Sequence, residues 1–363
     1  MQLVQPQLQV RLEQLQLLTL INFFSRRGLN VPRRSPSKNK YFIDMKKTVF
    51  ILFAAALAFA GCNKSVEVGT GETVSASFQI STEMTTKATL DGDGQGVNVN
   101  RFIMEVWHVT GSGASQVSEL YTRQVKYGTQ ITAGTNISNP AKTNFTVSLV
   151  KGQDYDLLFW ADKGDDQGAD VYYNTSDLHN VVLGAYTGND DRRDAFSQCV
   201  TLINVTSDPS TSVQLERPFA QLNIITQDID DIEANSGTVK VVPDEISVAF
   251  TAPTVFNVKT QEASASAAFT SNVAPYYSTV GSQTEHYTLS MDYILASKNQ
   301  QDVKDVELTA KKNSTVLNTQ TFSNIPLQRN YRTNILGNLL TTTGVFTVET
   351  APVWASPENN ENK

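Results

Sequence analysis

Val74-Ser75-Ala76-Ser77-Phe78-Gln79-Ile80-Ser81 decides the fold class of this chain. Val, Ala, Phe and Ile alternate with Ser and Gln, so every apolar side chain falls on one face of an extended strand. The same pattern recurs outward from it. Residues 102–109 and 145–149 alternate, and 155–160 are apolar on both faces, as an inner sandwich strand requires. Short apolar segments continue at 181–183, 200–205, 220–225, 239–242, 246–250, 255–258, 286–295, 306–309, 316–322 and 335–340. Long helical periodicity is absent, and the expectation is an all-β sandwich protein. A turn-rich break, Asp208-Pro209-Ser210-Thr211-Ser212, sets an expected border between an N-terminal domain at 72–212 and a C-terminal domain at 213–363.

The N-terminus carries a different signal. Met45-Lys46-Lys47 precedes an apolar run at 49–60 that ends in Gly61-Cys62. A basic start, an apolar stretch and small residues at its end describe a secretory signal, and the run is short for a bilayer span of about 20 residues. Phe59-Ala60-Gly61-Cys62 resembles the lipobox of bacterial lipoproteins. That resemblance implies cleavage between Gly61 and Cys62 and acylation of Cys62, with several acyl chains giving a stable anchor. Residues 1–44 precede a complete signal and are read as a leader from an upstream start, 45–61 as the signal peptide, and 62–71 as a polar tether. The mature protein is expected as a tethered molecule facing the periplasm or the surface, with membrane contact through the lipid alone and lipoprotein export machinery as a partner.

Charge narrows the partners. Nine of the 29 Lys and Arg and two of the 36 Asp and Glu precede Cys62, which leaves 20 bases against 34 acids and a formal charge of −14 from Cys62 onward. That balance argues against nucleic acid as a partner. Two cysteines, Cys62 and Cys199, build no disulfide framework, and His108, His179 and His286 are scattered, so neither a metal centre nor a cofactor is expected. Asp91-Gly92-Asp93-Gly94-Gln95-Gly96 opens like a calcium loop, but Phe102 stands where the bidentate Glu belongs. Asp190-Asp191-Arg192-Arg193-Asp194 reads as a solvated charge run, and Asp228, Asp230 and Asp231 as a turn cluster. Cys199 sits in an apolar strand, as a small buried hydrophobe would. With no nucleophile elbow and no phosphate loop, the chain is read as non-enzymatic, although paired carboxylates brought together only by tertiary folding escape sequence reading.

Four ordered motifs carry a family resemblance. They are Leu158-Phe159-Trp160-Ala161-Asp162, Arg193-Asp194-Ala195-Phe196, Arg217-Pro218-Phe219-Ala220-Gln221-Leu222-Asn223, and the run from Ile325-Pro326-Leu327-Gln328-Arg329-Asn330-Tyr331-Arg332 through Thr333-Asn334-Ile335-Leu336-Gly337-Asn338-Leu339-Leu340-Thr341. From the lipobox to Thr341 the chain resembles fimbrillin-type lipoproteins, the subunits and accessory proteins of type V pili. The resemblance implies two tandem transthyretin-like β-sandwich domains, a lipoprotein precursor sorted to the outer membrane or cell surface, trypsin-like proteolytic processing, and assembly with other pilus subunits by donor-strand complementation. On that template Val74, Ala76, Phe78 and Ile80 mark a removable strand, Lys87 and Ala88 flank the processing bond, and Val345, Phe346 and Val348 mark a donor strand. Lys87 is favoured over Arg101, which adjoins an apolar strand. A central place for the first strand, with no loop open to a peptidase, would argue against this scheme. Arg217, Arg329 and Arg332 are expected in intradomain ion pairs or hydrogen bonds with loop carbonyls, and Tyr331, Ile335 and Leu339 in a loop entering a strand. The alternative is a non-polymerising surface lipoprotein that binds glycan or host ligand through loop tyrosines, Tyr172, Tyr173, Tyr276 and Tyr277, with Trp107 and Trp160 in the core.

Overall fold

A computed structural model describes residues 71–82, 97–135, 139–228, 242–275, 278–280, 283–341 and 346–352. Strands dominate them, with three short 3-10 turns and no α-helix among the described residues. In chain order the first half gives β1 (Thr73–Thr82), β2 (Arg101–Thr110), β3 (Val117–Tyr127), β4 (Lys142–Val150), β5 (Asp154–Asp162), β6 (Tyr173–Asn174), β7 (Val181–Leu183), β8 (Phe196–Leu202) and β9 (Ser210–Leu215). The second half gives β10 (Phe219–Thr226), β11 (Glu245–Asn257), β12 (Glu262–Val273), β13 (Ser278–Val280), β14 (Gln283–Leu295), β15 (Gln301–Lys312), β16 (Thr315–Leu327), β17 (Tyr331–Gly337) and β18 (Phe346–Pro352). The protein is all-β, as the alternation demands.

Sheet β4-β1-β9 and sheet β3-β2-β5-β8 enclose one core, which includes Phe78, Ile80, Phe145, Phe102, Leu157 and Phe159. Sheet β13-β14-β10-β17-β18 and sheet β16-β15-β11-β7-β6 enclose a second, which includes Leu222, Ile224, Ile335, Val248, Leu308 and Phe322. A third cluster, with Ile103, Leu158, Trp160, Tyr173, Phe219, Phe256 and Tyr293, joins residues from both halves of the chain. The two-sided apolar character of β5 now has its cause. Leu157 and Phe159 point into the first core, and Leu158 and Trp160 into the third.

Several segments differ from expectation. Residues 210–212, read as part of a turn, begin β9, which runs parallel to β1 and crosses position 212. The segments at 246–250 and 255–258 fall almost wholly in the single strand β11, and its partner β12 keeps one register throughout, with Ala265, at φ 49, interrupting the ladder between the pairs Val255↔Ser264 and Pro253↔Ser266. The segment at 239–242 lies outside the described residues except Val242, which is not in a strand. Residues 335–340 were expected as strand and Tyr331 as loop; β17 instead begins at Tyr331 and ends at Gly337, while Ile335 and Leu339 are buried.

Candidate functional site: β1 and the groove it fills

β1 is a strand because alternation lets it satisfy two demands at once. Its odd positions face water, and its even positions Val74, Ala76, Phe78, Ile80 and Thr82 are buried. The Phe78 ring lies 5.8 Å from Phe159 on the opposite sheet. Full burial of Val74, Phe78 and Ile80 contributes roughly 5 to 9 kcal/mol. The strand is the middle one of its sheet. On one side it pairs antiparallel with β4, from Thr73↔Val150 to Ser81↔Lys142, and on the other it pairs parallel with β9, from Ser77↔Ser210 to Thr82↔Leu215. Further ties secure it: Ser75 N donates to Asp208 Oδ1 (2.9 Å), Ser77 N to the Pro209 carbonyl (2.8 Å) and Lys151 Nζ to Glu72 Oε1 (2.6 Å). β1 therefore occupies a groove whose walls are β4 and β9 and whose floor is apolar.

One of the two conditions set against strand removal is thus met, since β1 is central. The other concerns 83–96, which hold Lys87, Ala88, Asp91 and Asp93 and lie outside the described residues, as do Gly61 and Cys62. Arg101, the rival processing position, is 2% exposed. Its Nε and Nη2 grip Asp162 at 2.7 and 2.6 Å, and its Nη1 donates to Asp170 (2.7 Å) and the Gly168 carbonyl (3.1 Å). Burial works against the Arg101 charge, but the two carboxylates outweigh it and hold its pKa above the ordinary value. A peptidase pocket cannot take a side chain bound in this way.

The expected donor segment is seated in its own chain. β18 is an edge strand, antiparallel to β17 from Gly337↔Phe346 to Tyr331↔Pro352. Phe346 and Val348 are partly buried against the second core, with the Phe346 ring edge-on to Phe322 at 4.9 Å. Val345 lies outside the described residues.

The motif residues build the frame. Arg217 forks onto Asp194 with two 2.8 Å bonds, Arg329 reaches Glu216 (3.1 Å) and Gln261 (2.6 Å), and Arg332 Nε donates to Gln221 (2.8 Å). The run at 190–194 is not simply solvated: Asp190 and Arg192 pair near the surface, whereas Arg193 and Asp194 are buried. The Arg193 guanidinium sits between the Tyr172 and Tyr186 rings, 5.2 and 4.9 Å from their centroids. Asp228 is likewise buried rather than a surface turn, and Asp230 and Asp231 lie outside the described residues. Tyr173 is 2% exposed, edge-on to Trp160 at 5.3 Å, and donates to the Arg193 carbonyl at 2.6 Å; no face is left for a sugar. Tyr276 and Tyr277 lie outside the described residues. Trp160 is in the core as expected, and Trp107 is half-buried against His179. Burial pushes the half-buried Cys199 thiol up to about 11, leaving it a poor nucleophile at neutral pH.

One cluster had no signal in the sequence. Glu105, Asp177 and His179 bring donor atoms within 4.8 Å of one another. The Glu105 carboxylate is already engaged by Arg123 on one oxygen and by Trp107 Nε1 (3.0 Å) and Leu178 N (3.1 Å) on the other. This chemistry fastens the loop at 175–180 to the sheet.

A family model described as a family of unknown function, DUF6562, matches residues 66–363. The chain belongs to this family. The match leaves the lipobox outside and takes in every strand of the DUF6562 chain described above. No curated protein matches the sequence. Solved structures similar to this DUF6562 chain include one from Bacteroides thetaiotaomicron VPI-5482 whose description names polysaccharide binding (11% identity, TM-score 0.45, 79% of this chain and 100% of that one). Another is a fimbrial assembly protein from Parabacteroides distasonis ATCC 8503 (10% identity, TM-score 0.43, 80% and 98%). A third is the fimbrial anchor protein Mfa2 from Porphyromonas gingivalis (11% identity, TM-score 0.38, 72% and 90%).

Proposed function

We propose that this protein is a structural or adhesive pilus component, exported as a lipoprotein acylated at Cys62 and assembled by removal of β1 and entry of a strand from another subunit. The four fimbrillin-like motifs in order support the reading. The observation that carries it is the groove itself. Without β1, two rows of backbone groups on β4 and β9 lose their partners, and Phe145, Leu149, Val213 and Leu215 lose their apolar cover. An incoming extended strand with alternating apolar residues satisfies both needs.

The central position of β1 adds a condition. A strand held by two ladders does not leave spontaneously, so cleavage after Lys87 nicks the chain without emptying the groove, and exchange awaits a competing strand. β18 supplies a suitable pattern, because among the described residues it is held by one ladder only and its apolar positions alternate. Low-dose trypsin on the purified precursor tests the proposal. The expected stable product begins at Ala88 and forms polymers visible by electron microscopy once the β1 peptide is displaced. A ladder of fragments with no such product overturns it.

A further inference from the structure

β12 poses a question that the pilus reading does not use. On the side away from β11, no strand pairs with it among the described residues. Its two ends are tied, by Ala263 N on Ser297 Oγ (3.1 Å) at one end and by Gly188 N on Ser271 Oγ (2.8 Å) and Asn189 Nδ2 on the Ala274 carbonyl (3.1 Å) at the other. Between them, residues 264–270 present an open edge. All are exposed except the half-buried Phe269.

An open edge is a template for another strand, and proteins ordinarily blunt it with charge, proline or a bulge. β3 carries Glu119, Arg123 and Lys126, and β18 carries Glu349 and Pro352. Beyond Ala265, at φ 49, β12 runs as a regular ladder from Ser266↔Pro253 to Val273↔Ile246 without a register shift, and it carries no charge and no proline there. We propose that this edge pairs with the same edge of a second copy, antiparallel about Ala268.

Two features select a second copy as the occupant. The chain from Cys62 onward is strongly acidic, so copies repel except where charge is missing, and residues 263–273 carry none. Ser264, Ala265, Ser266, Ala267 and Ala268 have small side chains on both faces, with no large or charged group to select a foreign strand, whereas two identical small-residue strands match one another. The contact is lateral and leaves β1 in place, so it stands or falls separately from strand removal.

Cysteine cross-linking of the uncleaved full chain tests it. Ala268→Cys is compared with Val117→Cys, at another exposed strand position, under mild oxidation, with the unsubstituted chain as background for Cys62 and Cys199. The expected yield of covalent dimer is at least tenfold higher for Ala268→Cys, falling to the Val117→Cys level when Ala267→Lys is added. Equal yields, or a dimer that survives Ala267→Lys, overturn the proposal.

Discussion

Arg101 meets Asp162 through two parallel hydrogen bonds, Nε to Oδ1 and Nη2 to Oδ2, at the start of β2 and the end of β5. The pair is buried on both sides, and Nη1 donates to Asp170 and the Gly168 carbonyl. It closes the chain immediately after the segment 83–96, so it fixes where any trimming from the N-terminal side must stop.

Breaking the fork leaves an uncompensated buried charge, which costs about 3–5 kcal/mol. Arg101→Ala is expected to lower stability by that amount in urea denaturation. It should also let trypsin-like digestion run beyond Lys87 into the β2–β3 hairpin, seen as new termini at Gln124 and Tyr127, after Arg123 and Lys126. An unchanged fragment pattern together with unchanged stability would sink this account.

The two faces of β1 make opposite predictions. Phe78→Ala removes a fully buried ring and should cost about 3–5 kcal/mol. Ser77→Ala, on the exposed face, should stay within about 0.5 kcal/mol. Equilibrium unfolding of the two variants measures both; a similar cost for each would mean that the groove floor is not what holds the strand.

What could be read beforehand follows side-chain chemistry. β1, β4, β5 and β10 were legible because large apolar residues mark their buried faces. β3 and β12 were not, since Ser118, Thr122 and Gln124 on one and Ala and Ser on the other give no hydrophobic period. β9 hid behind Asp208 and Pro209, whose turn chemistry extends only to its first residues. β1 was legible as a strand, but its central place was not, because sheet order depends on β9 returning parallel to β1 from far along the chain. Likewise, Asp190 through Asp194 looks uniformly polar, and only tertiary contacts separate the exposed Arg192 from the buried Arg193.

Cys199 gives a pH prediction with a definite sign. Burial raises its thiol from 9.0 to about 11, so the folded protein holds a proton that the unfolded chain has released between those values. The cysteine contribution to stability is intact below about pH 9 and declines as pH rises toward 11. Iodoacetamide should therefore label native Cys199 far more slowly than the urea-unfolded thiol at pH 8. Comparable rates would contradict the assignment.

The last prediction concerns the root of β18. Asp228, which is buried, accepts hydrogen bonds from Thr226 Oγ1, from Leu340 N and Thr341 N, and from Thr341 Oγ1, the last two at 2.7 Å. This carboxylate pins the chain at 340–341 just after β17, so β18 can leave its edge only beyond that point. Asp228→Ala orphans two amide donors, at about 1–3 kcal/mol each, and it should raise amide exchange across 346–352 while the β1 amides keep their protection. If β18 is a donor strand, the same variant should exchange it into an emptied groove more readily but with a less defined register, because the fixed end that sets its reach is gone. Exchange in 346–352 that matches the unsubstituted chain would show that β17 alone holds the strand and that Asp228 merely ends a turn.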